Sequence, residues 1–367
     1  VGGNFRFLGG GAFWSNRIVY HWNKTVVEGL DVLDPTTRIL DMSRIGPVLT
    51  LEDEAVRKGP PVTAMLVQNT NPAAVAPDTN RVLKGLKRDD LFLCVHEQFP
   101  TETAQLADII LPATMFLEHD DIYQAGGHMH LQIHRAVIEA PEQTRSNHWV
   151  INELAKRLGA QHPGFGMTEW ELIDKTLLDS GWPSADVLLE KKWHDVQPSF
   201  ADSHFLNGFP TSTGRFQFSA DWSQLGPLGS KLPNYPDHCD NIDSATAEKP
   251  FRLVTSPARN YLNTSFTETP TSKKKEVRPT VKIHPDAAEQ LCLEDGDKVR
   301  LGNEQGSVVL NASIFSGLQT NVVVVESVWP NSAFEEGVGI NTLISAEAGP
   351  PNGGAVFHDT AIWIKPA

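Results

Sequence analysis

Residues 254–270 read VTSPARNYLNTSFTETP. The stretch leaves an apolar run, 251–255, with the composition of a strand, and continues through Ser256, Arg259, Asn260, Asn263, Thr264, Ser265, Thr267 and Thr269. Arg259 is the only cation in it. A solvated loop is usually built from Lys, Glu and Asp. Hydroxyls and amides around one guanidinium, which can grip an anion in bidentate fashion, suit a surface that holds a large polar ligand.

Outward from this stretch, the chain to residue 367 carries short apolar runs at 251–255, 281–284, 298–302, 307–315, 321–326 and 361–365. A short helix at 285–291 and turns at EDGD and NEQG separate them. Many short strands with few helices predict a small barrel. Upstream, 62–159 alternates strand with helix: strands at 63–68, 91–97 and 107–113, a helix at 72–86, a helical turn or two at 101–107, and an amphipathic helix at 147–159 ending on Gly. Continuous apolar strands alternating with helices predict a parallel sheet covered on both faces. Ligands of such sheets lie beyond the carboxyl ends of the strands. Between these parts, 161–249 has a helix near 168–178 and an edge-strand pattern, GRFQFS, at 214–219. The expected organisation is an α/β domain over 1–160, a connecting region over 161–249 and a barrel domain over 250–367.

The 367 residues are 40% hydrophobic and 21% charged, ordinary for a globular protein, with a formal charge of −14. That balance argues against nucleic acid as a partner, which needs a basic face. The lysines at 273–275 read as a solvated loop. No apolar run approaches the roughly 18 residues of a membrane span. Cys94, Cys239 and Cys292 are widely spaced, so neither a disulfide framework nor a cysteine-bound cluster is indicated. Cys94 and Cys292 read as small core residues, a pattern that fits a reducing compartment.

NTNPA, at 69–73, follows the first strand; it either caps the next helix or offers amides to a ligand. Glu97 follows the second strand, and Glu118, His119, Asp120 and Asp121 follow the third. Such carboxylates are either solvated or accept from ribose hydroxyls or a guanine N–H edge. His128, His130 and His134 share one face of a strand but span roughly 20 Å, too far for one tetrahedral ion. No residue reads as catalytic or as a metal ligand: no nucleophile–base pair and no phosphate loop is present.

Taken together, NTNPAAVAPD, DLFLCVHEQFPTETAQLADIILPATMFLEHDD and RSNHWVINELAKRLG resemble the dinucleotide-binding α/β domain of the molybdopterin oxidoreductase family. VTSPARNYLNTSF, VKIHPDAAEQLCLEDGDKVRL and GINTLISAEAGPPNGGAVFHDTAIWI resemble its C-terminal double-psi β-barrel. The family comprises bis(molybdopterin guanine dinucleotide) enzymes, among them nitrate reductases, formate dehydrogenases and S-/N-oxide reductases. The resemblance implies a bis-molybdopterin guanine dinucleotide cofactor with molybdenum or tungsten, and cofactor contacts at Asn71, His96, Glu97, His119 and Asn147. In the barrel it implies contacts along 255–264, which contains Thr255, Ser256, Arg259, Asn263 and Thr264, and at Asn341 and His358.

Against the family's pattern, the chain lacks the N-terminal half that carries the metal-ligating residue, the Fe–S cysteines where present, and much of the substrate funnel. It is expected to begin inside the dinucleotide domain near LGGGAFWSN, to be a fragment or one member of a split enzyme, and to be inactive alone. Small-molecule substrate and redox partner are expected to act through the missing half, and the location is expected to be cytoplasmic, with the periplasm left open. Two other readings stand beside this one: a non-catalytic structural subunit that has lost the cofactor, and a carrier that holds it without reacting.

Overall fold

A computed structural model describes residues 20–124, 129–203, 205–219, 221–235, 237, 244–326 and 328–367. These form two compact units, one from described residues within 20–37 and 111–218, the other from 38–110 and 219–367.

β1 (Ala64–Gln68), β2 (Phe92–Glu97) and β3 (Ile109–Pro112) form a sheet in that order, with β1, β2 and the first two residues of β3 in the second unit. β1 and β2 run parallel, from Ala64 opposite Phe92 to Gln68 opposite His96. Val67, Leu93 and Val95 are buried with Leu49, Val82 and Leu86 from the flanking helices Ile45–Leu49 and Thr79–Leu86. The single helix expected over 72–86 is two, Pro72–Val75 and Thr79–Leu86. Pro77 forces the residue before it out of helical geometry, and Ala76 is extended at φ −73°, ψ 149°. Asp78 then turns left-handed at φ 51°, and its N–H donates to the carbonyl of Ile344.

The first unit holds β4 (Asp121–Tyr123), β5 (His130–His134) and β6 (His194–Asp195), paired antiparallel in that order. Leu131 and Ile133 face a core shared with Ile173, Leu177 and Leu188. The helix Asn147–Leu158 ends on Gly159 at φ 70°. The helix Glu169–Asp179 opens on Thr168 with a capping box to Glu171. His128 lies outside the described residues.

The barrel is built from β7 (Phe251–Val254), β8 (Thr280–Ile283), β9 (Lys298–Gly302), β10 (Ser307–Ile314), β11 (Val322–Val325) and β12 (His358–Pro366). It closes in the order β10-β8-β11-β7-β12-β9. Two pairings, β8 with β10 and β7 with β11, are parallel, and the other four are antiparallel. This is a double-psi β-barrel, filled by Leu253, Val281, Ile283, Val299, Leu301, Val308, Val323, Val325 and Ile362.

Three expectations are corrected. The GRFQFS stretch is not a strand: Gly214 turns at φ 66°, and Phe216 packs edge-on against Phe209 and Phe218. Cys292 is exposed, in the left-handed position that ends the helix Pro285–Gln290, and Cys94 is only half-buried, so neither is a core residue. Cys239 lies outside the described residues, as do residues 1–19, the stretch on which the expected internal start was read. The lysines at 273–275 belong to an exposed helix, Pro270–Glu276, started by Pro at its first position.

Candidate cofactor-binding site

The polar run at 255–267 is held from beneath. Ala258 and Tyr261 are buried in the barrel core, and the Tyr261 ring meets Trp329 edge-on at 5.1 Å between centroids. Asn260 donates its backbone N–H and side-chain Nδ2 to Glu276 Oε1, at 2.6 and 2.7 Å. Leu262 and Ser265 exchange backbone hydrogen bonds of 3.1 and 2.9 Å, closing a tight turn with Asn263 left-handed at φ 50°. Asn tolerates that conformation better than most residues. Thr267 Oγ1 donates to the Thr264 carbonyl at 2.8 Å. Inward anchors thus alternate with outward side chains: Arg259 and Asn263 are exposed, Ser256 and Thr264 half-exposed. Among the described residues, none of these four side chains has a protein hydrogen-bond partner.

The exit of β7 is fastened to the start of β12. Thr255 Oγ1 donates to the Phe357 carbonyl at 2.7 Å, and His358 lies opposite Val254. The register slips between His358 and Thr360, where Asp359 is left-handed at φ 68°. Arg252 pairs through Nε with the Asp359 carboxylate and donates a second hydrogen bond to its carbonyl at 2.7 Å. The bulge leaves His358 exposed at the strand's beginning.

The turns leaving β1 and β2 are knitted to the barrel. Asn71, 3% exposed, donates Nδ2 to Glu102 Oε2 at 2.7 Å and accepts at Oδ1 from Thr103 N and Oγ1, at 3.1 and 2.8 Å. Glu102 Oε1 accepts from the backbone N–H of Asn331 at 2.9 Å. Asn331 Nδ2 donates to the Ala73 carbonyl at 2.9 Å, and Asn331 Oδ1 accepts from Gly339 N at 3.0 Å. Asn341, likewise 3% exposed, donates Nδ2 to the carbonyls of Ala74 and Val75 at 3.3 and 2.9 Å. Buried His96 meets Gln68 Nε2 through Nδ1 at 3.1 Å. Glu97 is half-buried and accepts from the Gln98 N–H at 2.7 Å; burial pushes its carboxyl above the ordinary range.

His119 and Asn147 belong to the other unit. His119 Nδ1 lies 2.8 Å from Thr114 Oγ1, and Nε2 lies 3.7 Å from Asp121 Oδ2. Asn147 is exposed as the first residue of its helix, whose cap is Ser146. Glu118 accepts from Met115 N, and Asp120 pairs with Arg135 at 2.8 Å.

The twelve residues named from the sequence therefore divide. Asn71, His96, Thr255 and Asn341 are buried and bonded within the protein; Ser256, Arg259, Asn263, Thr264 and His358 present polar groups outward. Glu97 stands between these classes, and His119 and Asn147 are placed in the first unit. Sequence reasoning missed Glu102 and Asn331. Glu102 lies in a stretch read only as helical, and the Pro-Asn pair at 330–331 is the one turn signal for the other. As a donor set, a guanidinium unpaired among the described residues, an amide and two hydroxyls on one loop fit an anionic ligand rich in acceptors.

A parallel α/β sheet joined to a double-psi barrel, with such a loop at the barrel's first strand exit, has the make-up of a dinucleotide-cofactor protein. Residues 42–157 match the family model described as Molybdopterin oxidoreductase, and 251–361 match the Molydopterin dinucleotide binding domain. The chain is 31% identical over 373 residues to "Probable oxidoreductase YoaE" of Bacillus subtilis, covering 100% of this chain and 52% of that protein. It is 24% identical over 334 residues to the trimethylamine-N-oxide reductase of Haemophilus influenzae, covering 81% of this chain and 40% of the relative. It is 26% identical over 280 residues to the F420-dependent formate dehydrogenase 1 subunit alpha of Methanococcus maripaludis, with coverages of 75% and 40%. Acetylene hydratase from Pelobacter acetylenicus shares the fold, at a TM-score of 0.71 and 17% identity over 90% of this chain and 47% of that one. These matches support the molybdopterin oxidoreductase family. The chain spans about half the length of the first two curated relatives it matches. Among the described residues no helix is long and apolar enough to cross a membrane.

Proposed function

We propose that this chain is the cofactor-holding C-terminal portion of a bis-molybdopterin guanine dinucleotide oxidoreductase of molybdenum or tungsten. The observation that carries the reading is the loop after β7, whose buried anchors Ala258 and Tyr261 display Ser256, Arg259, Asn263 and Thr264, side chains with no hydrogen-bond partner among the described residues. When bound, the metal–pterin centre supplies the electron exchange. The residues of this chain bind and orient it. Arg259 grips phosphate oxygens, Ser256 and Thr264 hydroxyls and the Asn263 amide bond the remaining acceptors, and His358 flanks them. Glu97 accepts from the N–H edge of a guanine. His119 and Asn147, both in the first unit, are further proposed contacts. Asn71, His96, Thr255 and Asn341 hold the backbone that presents the others. Substrate and redox partner act through residues outside this chain, any Fe–S cluster lies outside it as well, and a cytoplasmic location belongs to the same reading.

Protein purified from molybdate- or tungstate-fed cells and denatured in acid should release pterin, by its fluorescence after oxidation, and two guanine nucleotides per metal ion. Arg259→Ala removes a charge-assisted hydrogen bond of roughly 1.5–3 kcal/mol and should lower affinity by about 10- to 100-fold. Wild-type protein without pterin would overturn the reading. One observation favours a second, a structural subunit without cofactor: the Asn71 and Asn341 amides are bonded within the protein and need no ligand. Pterin-free protein in cells replete with the cofactor is the result that second reading expects.

A further inference from the structure

The hydrogen bonds around Glu102 leave no freedom in the direction of any donor. The Thr103 hydroxyl accepts from Ala73 N at 3.0 Å, so its hydrogen goes to Asn71 Oδ1, which also takes the Thr103 N–H. Asn71 Oδ1 is thereby fixed as the acceptor end, and Nδ2 must face Glu102. Gly339 N fixes Asn331 Oδ1 in the same way, turning Asn331 Nδ2 to Ala73. Both Glu102 oxygens therefore meet donors, a side-chain amide from the β1 exit and a backbone N–H from the barrel segment. Only a carboxylate satisfies both, because a side-chain amide has a single acceptor atom.

We infer that Glu102 is the positioning residue of the cofactor site: its two-sided acceptance locks the turn after β1 onto the barrel at Asn331, and Asn71 acts through this clasp rather than by touching the cofactor. The inference rests on the guanine–pterin reading above. It is read from Asn71 being nearly inaccessible with each end of its amide engaged, and from the same clasp reaching Ala73, whose neighbours Ala74 and Val75 receive Asn341. Displacing the clasp shifts the β1 exit and the 331–341 segment together.

The network can be rebuilt with its polarity reversed. In Glu102→Gln, one amide hydrogen must face a donor, and the clasp opens. In the double variant Asn71→Asp with Glu102→Gln, the new amide nitrogen at position 102 donates to one oxygen of the new carboxylate at position 71. The amide oxygen at 102 still accepts from Asn331 N, and the other carboxylate oxygen at 71 still accepts from Thr103. Every bond returns and net charge is unchanged, but the Asn71 NH2 group is gone. The variants are compared with wild type by pterin content per protein and by melting temperature. Glu102→Gln should lose roughly tenfold in retained pterin and melt lower by roughly 2–4 °C, and the double variant should recover both. Recovery of the melting temperature without the pterin would make Asn71 a direct contact and overturn the inference. So would full pterin retention in Glu102→Gln, or failure of the double variant to recover either quantity. Wild-type protein without pterin would overturn the site reading itself, an outcome distinct from all of these.

Discussion

Replacing Tyr261 tests whether the polar loop after β7 is presented by its buried anchors. The ring is 6% exposed, sits in the barrel core and meets Trp329 edge-on at 5.1 Å. Truncating a buried aromatic to Ala costs about 3–5 kcal/mol, of which the edge-to-face pair contributes roughly 0.5–1.5. At about 1.4 kcal/mol per power of ten, Tyr261→Ala should raise the opening equilibrium of the barrel by two to four powers of ten. Because the chain has two compact units, an unfolding midpoint registers a change without saying which part of the fold has opened. Hydrogen exchange at Leu253, Val323 and Val325, all fully buried on β7 and β11, reports the barrel directly. Tyr261→Phe keeps the ring. The hydroxyl it removes has no hydrogen-bond partner among the described residues, so exchange should stay within about tenfold of wild type. Equal exchange in Tyr261→Ala and wild type would refute the anchoring argument. A Phe variant as damaged as the Ala variant would shift the role from ring to hydroxyl.

Gly85→Ala would normally favour a helix by about 1 kcal/mol, but here the new Cβ would collide with the Leu49 Cβ, with the Leu49 carbonyl carbon 3.3 Å away. A net loss of about 1–3 kcal/mol is expected in calorimetry, and a raised melting temperature would contradict the close packing of these helices. Burial raises the Glu97 carboxyl above its unfolded value, so the folded state holds this proton more tightly than the unfolded chain does. Ionised Glu97 therefore weakens the fold near neutrality, and Glu97→Gln should stabilise it there, with the difference fading as pH falls through the ordinary carboxylate range. Melting scans near neutrality and around pH ~4 check this, and a Gln variant less stable near neutrality would reverse the sign.

Most strands were legible from their apolar runs, continuous in β11 and alternating in β9, and β1, β2 and β7 to β11 fall within about two residues of the runs seen in the sequence; β4 and β6, DIY and HD, carry no such run. The break at Ala76–Asp78 was also written there, in Pro77, but a strong apolar period over 72–86 masked it. GRFQFS has the alternation of a strand but pairs with no strand among the described residues, and its phenylalanines cluster with Phe209 instead. The site was legible only as a set of polar residues at strand ends. Which of them face a ligand depends on partners far away in sequence: Asn331 reaches Glu102 across 229 positions and Asn341 reaches Val75 across 266. Neither spacing nor residue type marks such pairs, and Asn71 and Arg259 look alike until burial separates them.

Burial also explains why the loop after β7 is poor in charge. Several charges flanking the barrel are paired among themselves, Lys249 with Glu304, Lys282 with Glu326, Lys298 with Glu335 and Arg300 with Glu336, all within 2.9 Å. Hydroxyls and an amide have no counter-charge to collapse onto, and the left-handed turn at Asn263 and the anchor at Tyr261 hold them outward. In a chain with a formal charge of −14, long-range attraction does not draw an anion to this loop. On the proposed reading, a diphosphate would be held here at short range, through oriented neutral donors around Arg259, and the scarcity of charge keeps those donors available.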